Sequence, residues 1–392
     1  MKYALLNIKR ISAPVVLLAS VLAFCGCISD SESPCDVENV REVTMNFRLA
    51  IQREAAKKTR AVIEGHEPGT AAENAVDLQS LKLLLLTQGG VILQDISDIA
   101  KKQNDPEADN YSSYIIKATF KEPYFDYSAL GGDVKFNIMV LANWPQDALK
   151  TVAEKISALE IENAHPLYVM PAGGQGLVPS VSEDGSVGTG IPMYGFKDFT
   201  VSQSALLEST EAEPYDLKDD INLLRSVAKL EVADDISGKD AAGFPRVTSV
   251  SVNTSSYNSS ALLIPENFRD NEQVTVPSIP SDPAPTSEAL LLQTSSGSKA
   301  YYGYCYLPET STGLSLTVEI ENYAQGGSSH YVGEPQKASY TVRLTPDQKV
   351  WGDYFLRNHI YRLNIKSAGS ALTLSYMVCP WDEQESGDIS FD

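Results

Sequence analysis

Val43-Thr44-Met45-Asn46-Phe47-Arg48-Leu49-Ala50-Ile51 alternates with a period of two, so that Val43, Met45, Phe47, Leu49 and Ile51 fall on one face. Side chains of an extended strand point alternately to its two sides, so the stretch reads as a half-buried strand. It stands alone. The charged run Gln52 to Arg60 follows, then Ala61 to Asn74, polar and Gly-bearing with no period. That region reads as a flexible, protease-accessible linker.

Upstream, Lys2, Lys9 and Arg10 precede an apolar run from Ile11 to Phe24 that ends in small residues. The run is too short to span a bilayer and has the layout of a cleaved export signal, residues 1–26. No later run approaches the length of a span. The signal ends Phe24-Cys25-Gly26-Cys27. A bacterial lipobox places a small residue before the acylated cysteine, which selects Cys27 over Cys25. The polar, acidic Ile28 to Ser33 then forms a solvated spacer.

The chain carries a net charge of -20, and near -23 once the signal has taken its three cations and no anion away. Such an acidic chain does not bind nucleic acid through its bulk field. The 366 residues left of 392 suit two domains. Downstream of the linker, Leu81 to Thr87 and Val91 to Ile96 flank Gln88-Gly89-Gly90, a hairpin signal. Tyr111 to Phe120 and Val134 to Ala142 read as strands, Asp147 to Ile161 as an amphipathic helix, and Gly173 to Gly190 as a loop. The acidic stretch Glu208 to Asp220 marks a boundary between domains at 61–220 and 221–392. Beyond it Ile221 to Val232, Val247 to Val252, Ala300 to Leu307, Leu314 to Ile320, Ala338 to Leu344, Ile360 to Ile365 and Leu372 to Val378 have strand character. The expected fold is mostly β, two β-sandwich domains in tandem with one or few short helices.

No catalytic residue, metal site or cofactor is assigned. His66, His165, His330 and His359 lack metal-ligand spacing, and there is no nucleophile elbow, phosphate loop or dinucleotide fingerprint. Asp234 to Asp240 lacks the spaced oxygen ligands of a calcium hand and reads as a turn. Trp144, Trp351, Trp381 and the run Tyr301-Tyr302-Gly303-Tyr304 read as core and cross-strand aromatics before they read as a sugar-stacking surface. Cys305 and Cys379 form either a disulfide or two separately buried thiols.

Four stretches, in this order along the chain, resemble the fimbrillins, lipoprotein-derived pilins of the Bacteroidales (type V pili). They are Val134 to Asn143, ending Leu-Ala-Asn; Gly190-Ile191-Pro192-Met193-Tyr194-Gly195; Leu224-Arg225-Ser226-Val227-Ala228-Lys229-Leu230-Glu231-Val232; and Leu356 to Leu363 with the ending Tyr376 to Trp381. The resemblance implies two transthyretin-like sandwiches, with Arg225, Asn143 and His359 as structural pins. It also implies a history. The precursor reaches the outer membrane with a palmitate-type lipid on Cys27, and an Arg-specific protease cuts between Arg60 and Ala61, with Arg53 and Arg48 as alternatives that lie nearer or inside the strand and are less accessible. Propeptide 27–60 leaves with its strand, and a strand of another fimbrial subunit, in a homo- or hetero-polymer, fills the groove by strand addition. Leu372 to Val378 or Asp388 to Phe391 would be donated, the alternative being that both belong to this subunit's own second domain. Cleavage would leave Cys305 and Cys379 as an isolated pair, which favours the disulfide. The expected product is an adhesive fimbrium at the cell surface and not an enzyme. The alternatives are an uncleaved membrane anchor of a pilus and a surface glycan-binding lipoprotein.

Overall fold

The alternating stretch forms strand β1 (Glu42–Ile51), with Val43, Met45, Phe47, Leu49 and Ile51 buried. In a computed structural model the described residues are 42–51, 69–106, 108, 111–121, 132–145, 167–169, 176–236, 245–253, 257–258, 260–262, 264, 290–294, 302–309, 314–322, 334–344, 355–368 and 372–381. Cys27, Arg60, Ala61, the helix expected at 147–161 and the segment 388–391 lie outside them. After β1 come helix α1 (Ala71–Asn74) and strands β2 (Lys82–Leu86), β3 (Ile92–Asp95), β4 (Ala100–Asn104), β5 (Ser113–Lys121), β6 (Asp133–Ala142), β7 (Leu167–Val169), β8 (Ser180–Val181), β9 (Val187–Thr189) and β10 (Met193–Ser202). Helix α2 (Gln203–Leu207), β11 (Tyr215–Asp216) and β12 (Ile221–Arg225) follow. The remainder is β13 (Ala228–Asp234), β14 (Arg246–Val252), β15 (Ser260–Leu262), β16 (Leu290–Leu291), β17 (Gln293–Thr294), β18 (Tyr302–Leu307), β19 (Leu314–Asn322), β20 (Gln336–Leu344), β21 (His359–Ala368) and β22 (Leu372–Pro380). The fold is mostly β, and the helices described are short.

A nine-stranded sheet runs β3-β2-β6-β10-β12-β1-β5-β4, with β11 paired beside β1. It curls around a single core, because Leu83 of β2 and Met45 of β1 belong to one buried cluster. β2 and β3 form the hairpin expected around Gly89, with Gly90 at φ 86°, a conformation that favours glycine. β10 escapes the sequence reading because Gly195, Lys197 and Asp198 interrupt its apolar pattern. Gly195 is required there: a Cβ would lie 2.9 Å from the Asn222 carbonyl oxygen, so only glycine lets β10 and β12 pair this closely.

The second core is a sandwich. Its five-stranded sheet is β17-β18-β13-β21-β22 and its four-stranded sheet is β16-β14-β19-β20. Leu230, Val232, Leu363 and Ile365 of the first meet Leu314, Leu316, Val318 and Ile320 of the second. In β14 a bulge between Val247 and Ser249 shifts the inward positions from Val247 to Val250 and Val252, which keeps all three buried.

Several expectations are corrected. β1 is covered on most of both faces, not half-buried: Thr44 and Ala50 are also inside, because α2 and the segment after it cover that side. The stretch from Glu208 to Asp220 is not the boundary between the two cores, since β11 within it and β12 after it both pair with β1. The second core begins at Ala228, and residues 41–392 form one compact unit. The loop read at Gly173 to Gly190 contains the hairpin β8–β9. Leu372 to Val378 lies in β22, paired along β21 in this chain's own sheet. The Cys305–Cys379 disulfide is not formed. Cys305 is a buried free thiol, and β18 and β22 are separated by β13 and β21. Three strand spacings of about 4.8 Å far exceed the ~7 Å reach of a disulfide between Cα atoms.

Burial pushes the Cys305 thiol well above its usual pKa. Protein purified without reductant should therefore resist iodoacetamide at Cys305 while folded, and be alkylated there once denatured, still without reductant. Mass mapping reads both states, and a linked Cys305–Cys379 peptide would contradict the sheet order.

Candidate assembly groove

β1 is an interior strand of its sheet and has partners on both edges. Antiparallel β5 pairs with it from Glu42↔Lys121 to Ala50↔Ser113, and Ile51 N–H donates to the Ser112 carbonyl, 2.9 Å. On the other edge, parallel β11 pairs at Met45↔Tyr215 and Asn46↔Asp216, and parallel β12 from Leu49↔Ile221 to Ile51↔Leu223. β1 thus bridges two blocks, β3-β2-β6-β10-β12 and β5-β4. Its five inward side chains, at roughly 1.5–3 kcal/mol each, contribute about 7–15 kcal/mol before ordering costs, as large as the whole net stability of a domain.

The opposite face of β1 is polar. Thr44 N–H donates to Ser209 Oγ, 3.0 Å, and Thr44 Oγ1 lies 3.0 Å from Thr119 Oγ1. Asn46 Nδ2 donates to Asp216 Oδ1, 2.9 Å, while Leu217 N–H donates to the Asn46 carbonyl, 2.9 Å. Arg48 Nε donates to Asp220 Oδ1, 2.8 Å, with Asp105 Oδ2 4.0 Å from Nη1. These wall residues, Ser209, Asp216, Asp220, Thr119 and Asp105, escaped the sequence reading. Their approach to β1 is set by long-range pairing that leaves no local pattern.

At one end of the groove the two cores are tied together by buried polar groups. Arg225, at the end of β12, has 0% of its surface exposed. Its Nη1 donates to Asn358 Oδ1, 3.1 Å, and to the Trp381 carbonyl, 2.8 Å; its Nη2 donates to Asn74 Oδ1. The guanidinium also lies 4.4 Å from the centre of the Trp381 ring, on which Tyr306 stacks. Glu73 closes a capping box on α1, accepting from Thr70 N–H, 2.7 Å. Its other oxygen accepts from Tyr306 Oη, 2.6 Å, and Lys229 Nζ, 2.8 Å. Lys229 continues to Glu231, 2.7 Å, and Glu231 to Arg362, 2.6 Å. Arg357 makes a bidentate pair with Glu309, 2.7 Å on each oxygen.

Burial alone would raise the Glu73 and Glu231 carboxyls. Lys229, joined by Tyr306 and Thr70 N–H at Glu73 and by Arg362 at Glu231, outweighs it and holds both below the usual range. Burial likewise disfavours the Lys229 ammonium, but the two carboxylates raise its pKa overall. Among the described residues no group of His, Cys, Asp and Glu is arranged to hold a metal ion.

No family model matches the chain, and no curated protein matches it by sequence. Solved structures do. The tip fimbrial protein Mfa3 from Porphyromonas gingivalis, in a C-terminally truncated form, aligns with a TM-score of 0.52 at 14% identity, over 87% of this chain and 100% of that one. Its fold is that of the Bacteroidales fimbrial proteins. A candidate cell adhesion protein from Parabacteroides distasonis aligns with a TM-score of 0.51 at 15% identity, over 89% of this chain and 100% of that one.

In this fimbrial fold the four stretches singled out from the sequence converge on the junction. Asn143, at φ 57°, donates through Nδ2 to the Ala75 and Ile191 carbonyls, 2.8 and 2.9 Å, and accepts from Asp77 N–H, 2.8 Å. Gly190 packs on it so closely that a Cβ would fall 2.3 Å from the Asn143 side chain. Ser226 N–H donates to the Pro192 carbonyl, and Asn358 N–H to that of Val227. His359 Nδ1 donates to the Arg357 carbonyl, 2.8 Å. Arg225, Asn143 and His359 are therefore structural pins. Trp144 and Trp381 are buried, so neither offers a ring to a sugar. Lys229 and Glu231 alternate with apolar residues in β13 and look solvent-facing in sequence, yet their face is the junction.

Lys229→Met would leave the buried Glu73 without its cation and Glu231 with Arg362 alone, and should cost about 3–5 kcal/mol at pH 7. The pH slope should become shallower as well. In the parent the folded carboxyls lie below the 4.5 of the free side chain, so their contribution is full above about pH 4.5 and is lost as pH falls through their folded values. Without Lys229 the balance at both carboxyls moves toward the burial that raises them, so acidification from pH 7 should destabilise the variant less than the parent. Urea midpoints across pH 4–8 measure both slopes.

Proposed function

We propose that the chain is a fimbrillin-family pilus subunit that supports adhesion at the cell surface. It is exported as an outer-membrane lipoprotein acylated on Cys27. An arginine-specific protease cuts after Arg60, so that the mature chain starts at Ala61. β1 and its lipid are then replaced by a strand of another fimbrial subunit. One observation carries this reading: β1 is an interior strand of a sheet, yet it precedes a segment, residues 52–68, whose cutting would sever its only covalent link to that sheet.

The replacement is thermodynamically matched. An incoming strand with the same alternation satisfies the N–H and C=O groups of β5 and β12 and refills the five apolar positions. An uncut chain with Cys27 still acylated would serve instead as an anchor, with β1 as a permanent part of the sheet.

N-terminal sequencing of the surface form discriminates the two. A start at Ala61, with heat-resistant ladders on denaturing gels, is expected. Arg60→Ala should block the cut at that bond and abolish the ladders. An intact acylated Cys27 on all surface material would overturn the subunit reading.

A further inference from the structure

The polar face of β1 carries a second layer of information, and this inference rests on the strand-exchange reading above. Arg48 is the cation that β1 brings into the groove. It reaches Asp220 at 2.8 Å and approaches Asp105 at 4.0 Å, while Asp216 beside them takes Asn46. The Arg48 side chain is 52% exposed, but those of Asp105 and Asp220 are only 10% and 27% exposed. The carboxylates therefore belong to the wall and the cation to the occupant. Of the neighbouring cations, Lys101 pairs with the Glu211 carboxylate and Lys117 donates to the Glu211 carbonyl. When β1 leaves, Arg48 leaves with it, and the wall keeps its aspartates.

This chain's own late segments do not restore that charge. Leu372-Thr373-Leu374-Ser375-Tyr376-Met377-Val378-Cys379-Pro380 has the alternation of a donor but no lysine or arginine. Residues 382–392 contain Asp382, Glu383, Glu385, Asp388 and Asp392, again with no cation. Laid into the groove, 372–380 would bring no cation to Asp105, Asp216 and Asp220, and 382–392 would bring like charge against them. We infer that the groove is selective for a strand from a different kind of subunit, one whose inward apolar residues alternate with a lysine or arginine at the position Arg48 holds, and that it rejects the C-terminal segment of a second copy of this chain. The five apolar positions supply adhesion, and the aspartates supply register and choice of partner. A one-residue slip would turn the cation into the core, so the charged position and the apolar face enforce the same alignment.

Strand competition tests this on the full-length protein cut within residues 52–68 by an arginine-specific protease. Fluorescent peptides are offered in excess: the sequence 42–51, the same peptide with R48E, the sequence 372–380 and the sequence 382–392. Peptide retained with the protein on gel filtration is measured. The 42–51 peptide should enter, and R48E should lower its capture about tenfold at low salt, with the gap closing at 1 M salt. Neither C-terminal peptide should compete. In protein carrying Asp220→Lys the preference should reverse toward the R48E peptide. Equal capture of the parent and R48E peptides, or capture of 372–380 or 382–392 as strong as that of 42–51, would overturn the selectivity while leaving exchange intact. If even the 42–51 peptide fails to enter, strand exchange itself falls and the selectivity with it.

Discussion

A strand in the interior of a sheet has two rows of backbone groups to satisfy, and β1 has no sequence neighbour to do it. Its partners come from residues 113–121 on one edge and from residues 215–225 on the other. That constraint organises the first core. β5 and β4 join the rest of the sheet through β1, and the sheet closes around the apolar face of a segment that the chain delivers first. Proteins usually protect a sheet by placing their best-paired strands inside it. Here an interior strand is joined to the rest of its sheet through the run 52–68.

The junction between the cores follows a different logic. Buried charges are expensive unless every hydrogen-bonding position is met. Arg225 meets that requirement with oxygens from α1, from Asn358 and from the Trp381 backbone, and with the Trp381 ring face. Hydrophobic contact alone would let the two sandwiches slide over one another. A planar guanidinium and a Glu73–Lys229–Glu231–Arg362 chain do not permit that, because each bond is lost within about an ångström of displacement.

Much of the fold is legible in the sequence wherever side-chain period and burial agree. Val43 to Ile51 and Leu314 to Ile320 alternate and are strands; Gly89-Gly90 turns a hairpin. Legibility fails where tertiary contact overrides the local pattern. β10 hides behind Gly195, whose reason is the approach of β12. The acidic run before Ile221 reads as a domain boundary, but Asp216 and Asp220 within it are part of the polar wall of the groove. Lys229 and Glu231 read as a wet face and are buried. The candidate groove was half readable: its occupant was evident from alternation, while Asp105, Asp216 and Asp220, drawn from places far apart in the chain, could be joined to Arg48 only by the folded sheet. Cys305 and Cys379 show the reverse error, since parity of count carries no information about distance across a sheet.

The capping box on α1 has a mechanical side. α1 is the first described element after residues 52–68, and its Glu73 and Asn74 are fastened to Lys229 and Tyr306 on one side and to Arg225 of β12 and Tyr114 of β5 on the other. A tensile load entering the chain through that segment is therefore shared between the two cores as soon as it reaches α1.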